Sequence, residues 1–319
     1  MEQLQVFTGR SNPCLAEEIC RCLELPLGKA VVTTFRDGET RVRLEQNVRG
    51  ADVFVVQSTC APVNQNLMEL LVMIDAVRRA SADRITAVMP FYGYAKQEKK
   101  TAGREPITAK LVANLIATAG ASRVLAIDLH SPAIEGFFDI PVDHLRAEPI
   151  LAEYFKHRGL DNVVVVSPDA GGVARANHFR DRIGASLAII AKQRPQPDVA
   201  EVVEMVGDVR GKTAIIVDDM VSTGGTLMQA AEMLKERGAT SVYACATHGV
   251  LSEGAAERIV HSEVKELIVA DTIPVPAEKR NSTIKVLSVA PLLAEAIRRI
   301  HNNVSVLSLI HISEPTRQA

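Results

Sequence analysis

The chain has 319 residues, 47% of them hydrophobic, with 36 Lys plus Arg against 38 Asp plus Glu and a formal net charge of -2. That balance excludes a general nucleic-acid or membrane surface. The absence of Trp and an aromatic content of 4% argue against base-stacking platforms, and no run approaches the roughly 18 apolar residues of a transmembrane span.

The length fits one large domain or two of ordinary size. The start, MEQLQVFTGR, is acidic and strand-like, so no signal peptide is expected. Cys14, Cys20, Cys22, Cys60 and Cys245 match no zinc framework, and CRC is too tight for a C-x-x-C motif. Reduced thiols and a cytoplasmic location are expected. In chain order, ADVFVVQS (51–58) reads as a strand and NLMELLVMIDAVRRA (66–80) as a helix with Leu67, Leu70, Leu71, Ile74 and Val77 on one face. RITAVMPF (84–91) is the next strand. EPITAKLVANLIATAG (105–120) is a helix with Pro106 in its first turn and Gly120 as its stop, and RVLAIDLH (123–130) is a strand. Further strands are read at 161–169, 186–193, 212–219, 241–248, 265–272 and 283–289, with helices at 226–238 and 291–301. Apolar strands alternating with helices predict an α/β fold with mostly parallel sheets flanked by helices.

The strand–helix–strand–helix–strand order of 51–130 recurs over 212–272, which predicts a duplication. A second register, setting GASRVLAIDLH against GATSVYACATH, is rejected because it places the Asp-Asp strand opposite the polar stretch near 99–108. The expected domains are 1–147 and 148–306. Residues 307–319 read as a non-native or disordered tail outside the fold.

The segment IIVDDMVSTGGT carries the sharpest chemistry. An apolar strand runs into Asp218 and Asp219, and Ser222, Thr223, Gly224, Gly225 and Thr226 lead into a helix. Glycines permit positive φ and close backbone approach. Amides at a helix N-terminus, with the neighbouring hydroxyls, suit a phosphate monoester. The carboxylates suit hydroxyl donors a sugar's length away, or Mg2+ through water. Ribose 5-phosphate supplies both ends.

VDDMVSTGGT resembles the ribose-phosphate signature of the type I phosphoribosyltransferase fold. FRDGE (35–39), PFYGYAKQEKK (90–100), GREPITAKLVANL (103–115), DLHSPAIEGFFDIPVDHL (128–145) and SPDAGGVARA (167–176) together look like the ribose-phosphate pyrophosphokinase family, over about residues 3 to 305. The resemblance implies two tandem phosphoribosyltransferase-like domains. It also implies transfer of the β,γ-diphosphoryl group of ATP to the C1 hydroxyl of ribose 5-phosphate, with Mg2+ required. It assigns ATP binding to Phe35, Asp37, Glu39, Lys96, Gln97, Lys99, Arg104 and His130, with Lys100 beside them. Metal contact falls to His130 and Asp169, with Asp128 placed to orient the His130 ring and Gly171 and Gly172 leaving room beside Asp169. The flap cations Lys192 and Arg194 become catalytic. The stretch 191–205 starts as a strand and dissolves into Pro and acid residues, so a long mobile loop is expected there. Assembly into a homo-oligomer, a hexamer in the family, is implied as well, with FRDGE reaching a neighbouring subunit.

This sequence departs from the family at several positions. Lys96 replaces an Arg, losing its bidentate fork. AKQRP stands for DKRRP, so Ala191 and Gln193 differ while Lys192 and Arg194 remain. Ser222 stands where Asp is frequent. Glu135 stands where Gln is common in a site for regulatory phosphate or ADP, and a carboxylate there repels an anion. Two alternatives share part of the pattern: a phosphoribosyltransferase using the same turn, and a non-catalytic paralogue that assembles with active subunits.

Overall fold

The computed structural model describes residues 3–193 and 202–310, with Lys192, Gln193, Val202, Val203 and Ile310 described by their backbone alone. Contacts divide the chain into two compact units. The first comprises residues through Arg146, Thr272–Pro274 and the chain from Ser288 on; the second comprises Ala147–Asp271 and Val275–Leu287.

The first unit opens with β1 (Leu4–Thr8), α1 (Pro13–Leu23) and a hairpin of β2 (Ala30–Thr34) and β3 (Thr40–Leu44). It continues with β4 (Asp52–Val56), α2 (Val63–Arg79), β5 (Arg84–Met89), α3 (Thr108–Ala119), β6 (Arg123–Ile127) and β7 (Val142–Leu145). The main sheet has the order β1-β4-β5-β6-β7 and is parallel throughout. Every residue of β4 is buried, as expected for a strand covered on both faces. Leu67, Leu70, Ile74 and Val77 of α2 are buried against this sheet, while Leu71 is only partly covered.

The second unit contains α4 (Glu148–His157), β8 (Val163–Ser167), α5 (Val173–Ile183), β9 (Ser186–Gln193), β10 (Val202–Val206) and β11 (Thr213–Val221). Then come α6 (Gly225–Glu236), β12 (Ser241–Gly249), α7 (Ala255–Val260), β13 (Val264–Ala270) and β14 (Ile284–Leu287). Its sheet runs β10-β9-β8-β11-β12-β13-β14, parallel except for the β9–β10 hairpin.

The chain then returns to the first unit through α8 (Ala290–His301) and α9 (Leu307–Ile310). Helix α8 buries Leu293, Ile297 and Ile300. Arg298 Nη2 donates to the Cys22 carbonyl of α1 at 3.0 Å, and Ser288 Oγ donates to Glu18 at 2.9 Å. The sequence reading placed this helix with the second domain. A boundary drawn along the chain cannot register such a return, which is decided by which apolar face the helix covers. Residues Leu307–Ile310 form a short helical turn, with Ser308 Oγ accepting from Arg299, where the sequence reading began the foreign tail.

The two units share one topology. The order β1-β4-β5-β6-β7 in the first corresponds to β8-β11-β12-β13-β14 in the second. Thus β4 is the counterpart of β11, in the register that the sequence repeat favours. The second unit adds β9 and β10 beyond β8.

Two local expectations need correction. Helix α3 starts at Thr108, with Ile107 as its N-cap, so Pro106 precedes the helix rather than occupying its first turn. The stretch 191–205 begins as strand, as expected, with β9 running to Gln193, but it also ends as strand: Val203 lies opposite Lys192 and Glu204 opposite Ala191. The Val-rich segment Val202–Val206 forms β10, which pairs with β9 in a hairpin and makes the edge of the sheet.

Candidate active site

In the second unit, the chain leaves β8 toward β9 on one side and leaves β11 toward β12 on the other. That reversal creates a crevice beyond the carboxyl ends of β8 and β11. Pairing of β11 with β8 stops at Ile216↔Val166, while β11 itself continues to Val221. Asp218 and Asp219 therefore extend past β8. The Asp219 N–H donates to Asp218 Oδ1 at 2.8 Å. Arg175, in the first turn of α5, places Nη1 3.0 Å from Asp218 Oδ1 and 3.7 Å from Asp219 Oδ1. Asp219 is buried and Asp218 half-buried. Burial, and then the charge of Asp219, push the Asp218 carboxyl up to about 7 against the opposing pull of Arg175.

Beyond Val221 the chain turns through Gly224, whose φ of 78° lies in the left-handed region. The first ladder bond of α6 runs from Met228 N to Gly224 O at 2.9 Å, so the amides of Gly225, Thr226 and Leu227 precede the ladder. The turn is braced from behind. Leu251 N donates to Val221 O at 3.0 Å, Ser252 N to Ser222 O at 3.1 Å, and Arg258 Nη2 to Thr223 O at 2.8 Å. Ser222 Oγ and Ser252 Oγ lie 3.3 Å apart. Thr223 and Thr226 are exposed and Ser222 is half-buried. The arrangement suits an anion at the turn and hydroxyl donors at the acid pair.

Asp169 follows β8 and is exposed. Its Oδ1 accepts the Gly172 N–H at 2.8 Å, and a Cβ at Gly172 would stand 2.9 Å from Ser167 Oγ. Exposed Gly171 precedes it. Lys192 lies on β9, described by its backbone only, and Arg194 lies outside the described residues.

The remaining candidates belong to the first unit. Phe35 to Glu39 form the turn of the β2–β3 hairpin, closed by Phe35 N to Glu39 O at 2.8 Å. Phe35 is 48% exposed, large for a Phe, with the Arg41 guanidinium 5.6 Å from its ring centroid. Asp37 Oδ1 accepts the Glu39 N–H at 3.2 Å. Lys96, Gln97, Lys99, Lys100 and Arg104 are exposed between β5 and α3. Gln97 Oε1 accepts from Thr108 Oγ1 at 2.5 Å, and Lys99 Nζ lies 3.3 Å from Glu98.

His130 is exposed after β6. The sequence reading gave Asp128 the orientation of this ring; Asp128 is buried, with Oδ1 3.5 Å from Arg146 Nη1. The loop is held by His144, whose Nε2 accepts from Leu129 N at 2.7 Å and lies 3.1 Å from Arg146 Nη1. His144 Nδ1 is 2.5 Å from Glu135 Oε1. An Nε2 that accepts requires the proton on Nδ1, which donates to Glu135. Burial, and next the charge of Arg146, lower the His144 pKa, in keeping with a neutral ring.

Residues 4–120 match the model of the N-terminal domain of ribose phosphate pyrophosphokinase, and residues 191–311 match the phosphoribosyl synthetase-associated domain. The ribose-phosphate pyrophosphokinase of Caldanaerobacter subterraneus subsp. tengcongensis is 60% identical over 307 residues, covering 96% of this chain and 97% of that protein. The Bacillus subtilis (strain 168) enzyme of the same name is 54% identical over 305 residues, covering 96% of each. This chain belongs to the ribose-phosphate pyrophosphokinase family. The crystal structure of phosphoribosylpyrophosphate synthetase from Mycobacterium smegmatis superposes with a TM-score of 0.90 at 47% identity, covering 95% of this chain and 100% of that one.

Within a ribose-phosphate pyrophosphokinase, the residues that sequence reasoning missed are those that hold the site rather than form its motifs. Arg175 is 43 residues from Asp218, with no pattern to link them. Arg258 and Ser252 brace the Gly224 turn from α7 and the preceding loop. In the first unit, the counterpart of the acid-pair strand is occupied by its own side chains. Gln57 Nε2 donates to buried Glu69 at 3.0 Å, which also accepts from Arg10 N and Arg10 Nε, each at 2.6 Å. A glutamate among the buried residues of an amphipathic helix was the available signal.

Proposed function

We propose that this chain acts as a ribose-phosphate diphosphokinase, the activity its family membership indicates. It transfers the β,γ-diphosphoryl group of ATP to the C1 hydroxyl of ribose 5-phosphate, giving 5-phosphoribosyl 1-diphosphate and AMP for nucleotide biosynthesis. The observation that carries the substrate assignment is the pairing of Asp218 and Asp219 with the Gly224 turn at one strand end. Ser222 to Thr226 hold the 5-phosphate through backbone amides and hydroxyls. Asp218 and Asp219 accept from the ribose diol. The ribose O1 attacks the β-phosphorus in line. The bond from that phosphorus to the oxygen bridging to the α-phosphorus breaks, AMP leaves with that oxygen, and the hydroxyl proton is released.

Phe35 stacks on adenine, with Asp37 and Glu39 receiving its polar edge. Lys96, Gln97, Lys99 and Arg104 face the phosphates as point charges and donors, and His130 contacts the metal–ATP complex. Lys192 and Arg194 stabilise the charge that develops on the equatorial oxygens. Mg2+ is the cofactor this donor set fits. Asp169 offers an exposed carboxylate, a hard oxygen ligand, and Mg2+ takes one or two carboxylates with substrate phosphates and water. Bound there, the ion would neutralise phosphate charge during transfer.

The enzyme works in the cytoplasm as a homo-oligomer, hexameric as the resemblance implies; no helix among the described residues is long and apolar enough to cross a membrane. Glu135 weakens control by phosphate or ADP, because its carboxylate repels an anion. The deciding experiment incubates the protein with ATP, Mg2+ and ribose 5-phosphate. AMP and phosphoribosyl diphosphate must form in equal amounts; AMP without phosphoribosyl diphosphate, or neither, refutes the proposal.

A further inference from the structure

Adjacent residues of a regular strand point to opposite faces, yet Asp218 and Asp219 both bring a carboxylate oxygen within 4 Å of one nitrogen, Arg175 Nη1, at 3.0 and 3.7 Å. The Asp218 carboxylate folds over the Asp219 amide at 2.8 Å, and the guanidinium draws both carboxylates together. We propose that Arg175 is a positioning residue of the ribose site, holding Asp218 and Asp219 as a converging pair of acceptors for the sugar hydroxyls. This rests on the assignment of ribose to that pair.

The local architecture aims Arg175. It sits in the first turn of α5, whose start is fixed by the Asp169 carboxylate on Gly172 N and by the close approach of Gly172 to Ser167. A buried carboxylate such as Asp219 is tolerated beside a cation. A guanidinium, with its several fixed N–H donors, can bridge two acids in one plane. The first unit has an arginine near the corresponding strand end, but it meets a single acid: Arg10, just after β1, pairs with Glu69 of α2, which also accepts from Gln57 beyond β4.

The charge consequences follow from the surroundings of β11. Helix α5 contributes Arg175 and Arg182, the latter bonded to Glu148 of α4 at 2.6 Å. Strand β12 contributes buried Cys245, whose thiol burial pushes upward, and His248 opposite Met220. The turn after β8 contributes Asp169. Of the influences on Asp218, burial and Asp219 favour its protonation and Arg175 opposes it. Without Arg175 a proton stays on Asp218 to higher pH, so a smaller fraction of the carboxyl is ionised at neutral pH and its capacity to accept from the diol falls.

The test compares Arg175→Gln, Arg175→Lys and the double variant Asp218→Asn/Asp219→Asn in the full chain. Initial rates give KM for each substrate between pH 6.5 and 9. Arg175→Gln is expected to raise KM for ribose 5-phosphate at pH 7 by about fivefold, the effect of moving a carboxyl that is half ionised at that pH up by one pKa unit. It should recover toward wild type at pH 9 and leave KM for ATP within about twofold. Arg175→Lys keeps the charge and should keep the acid limb of the wild-type profile. An unchanged KM for ribose 5-phosphate in Arg175→Gln overturns the inference, as does a rise of equal size at every pH. If Arg175→Gln does not fold, an acid limb displaced upward in Arg175→Lys overturns it instead. The double variant separates the two readings. A large loss of ribose 5-phosphate affinity there keeps the ribose assignment whatever Arg175 does, and no loss removes the assignment itself.

Discussion

Replacing Gly224 with Ala tests whether the turn proposed to hold the 5-phosphate depends on one backbone conformation. At φ 78°, an L side chain costs about 1–2 kcal/mol. The added Cβ would meet Ile259 Cδ1 at 3.4 Å and Cγ1 at 3.5 Å, close to ordinary contact, so the penalty is mainly that of the backbone. Reduced freedom of the unfolded chain returns roughly 0.4–1 kcal/mol. If the turn keeps its shape, the variant loses on the order of 1 kcal/mol of stability. If the turn instead relaxes to negative φ, the amides at the start of α6 rotate away from the phosphate. The same 1–2 kcal/mol then appears as a rise of about 5- to 30-fold in KM for ribose 5-phosphate.

Gly225 provides the internal control. Its φ is not positive, and an added Cβ would meet only Thr223 Oγ1, at 3.9 Å. Gly225→Ala should therefore fall within about 0.5 kcal/mol of wild type in stability, like most surface changes. Thermal denaturation and steady-state kinetics on both variants read the two channels together. If Gly224→Ala matches Gly225→Ala in both midpoint and KM, the conformational argument is refuted.

Three further outcomes are expected. Glu69→Ala removes the acceptor shared by Arg10 N, Arg10 Nε and Gln57 Nε2; it should lose about 1–3 kcal/mol in denaturant unfolding, the cost of leaving buried donors without their acceptor, and a loss below roughly 0.5 kcal/mol would contradict that network. His144 has a lowered native pKa, so between that pKa and the ordinary 6.5 the unfolded state binds the extra proton. Wild-type stability should therefore fall as pH drops through 6.5, and His144→Gln should lessen that slope; an identical slope would show that the ring is not held neutral. Lys192→Ala should lower kcat by roughly a hundredfold to a thousandfold, the scale for one transition-state donor, and full turnover would remove the flap lysine from the mechanism.

The duplication was legible because apolar strand runs and helical periodicity are local, and β4 and β11 carry theirs at matching places in each unit. The acid pair and the Gly-rich turn were legible for the same reason: Asp218 through Thr226 are contiguous, and a phosphate site at a helix start is built from consecutive amides. The second hairpin strand at 202–206 was hidden by the Pro and acid residues before it, because its strand character depends on pairing with β9. Helix α8 was recognised by period yet assigned to the wrong neighbour, since periodicity identifies an apolar face and not the surface that covers it.

The sequence by itself determined the element pattern, the order of the motifs and the chemistry they require, because those depend on residues within a turn or two of each other. The tertiary structure decided which distant side chains hold them. Arg175 reaches Asp218 and Asp219 because α5 and β11 flank one crevice; Arg258 braces Thr223 because α7 lies behind the turn; and Glu135 meets His144 because the segment after β6 folds back over β7. Charge pairing and burial are properties of distance in space, and chain folding sets those distances independently of separation along the sequence.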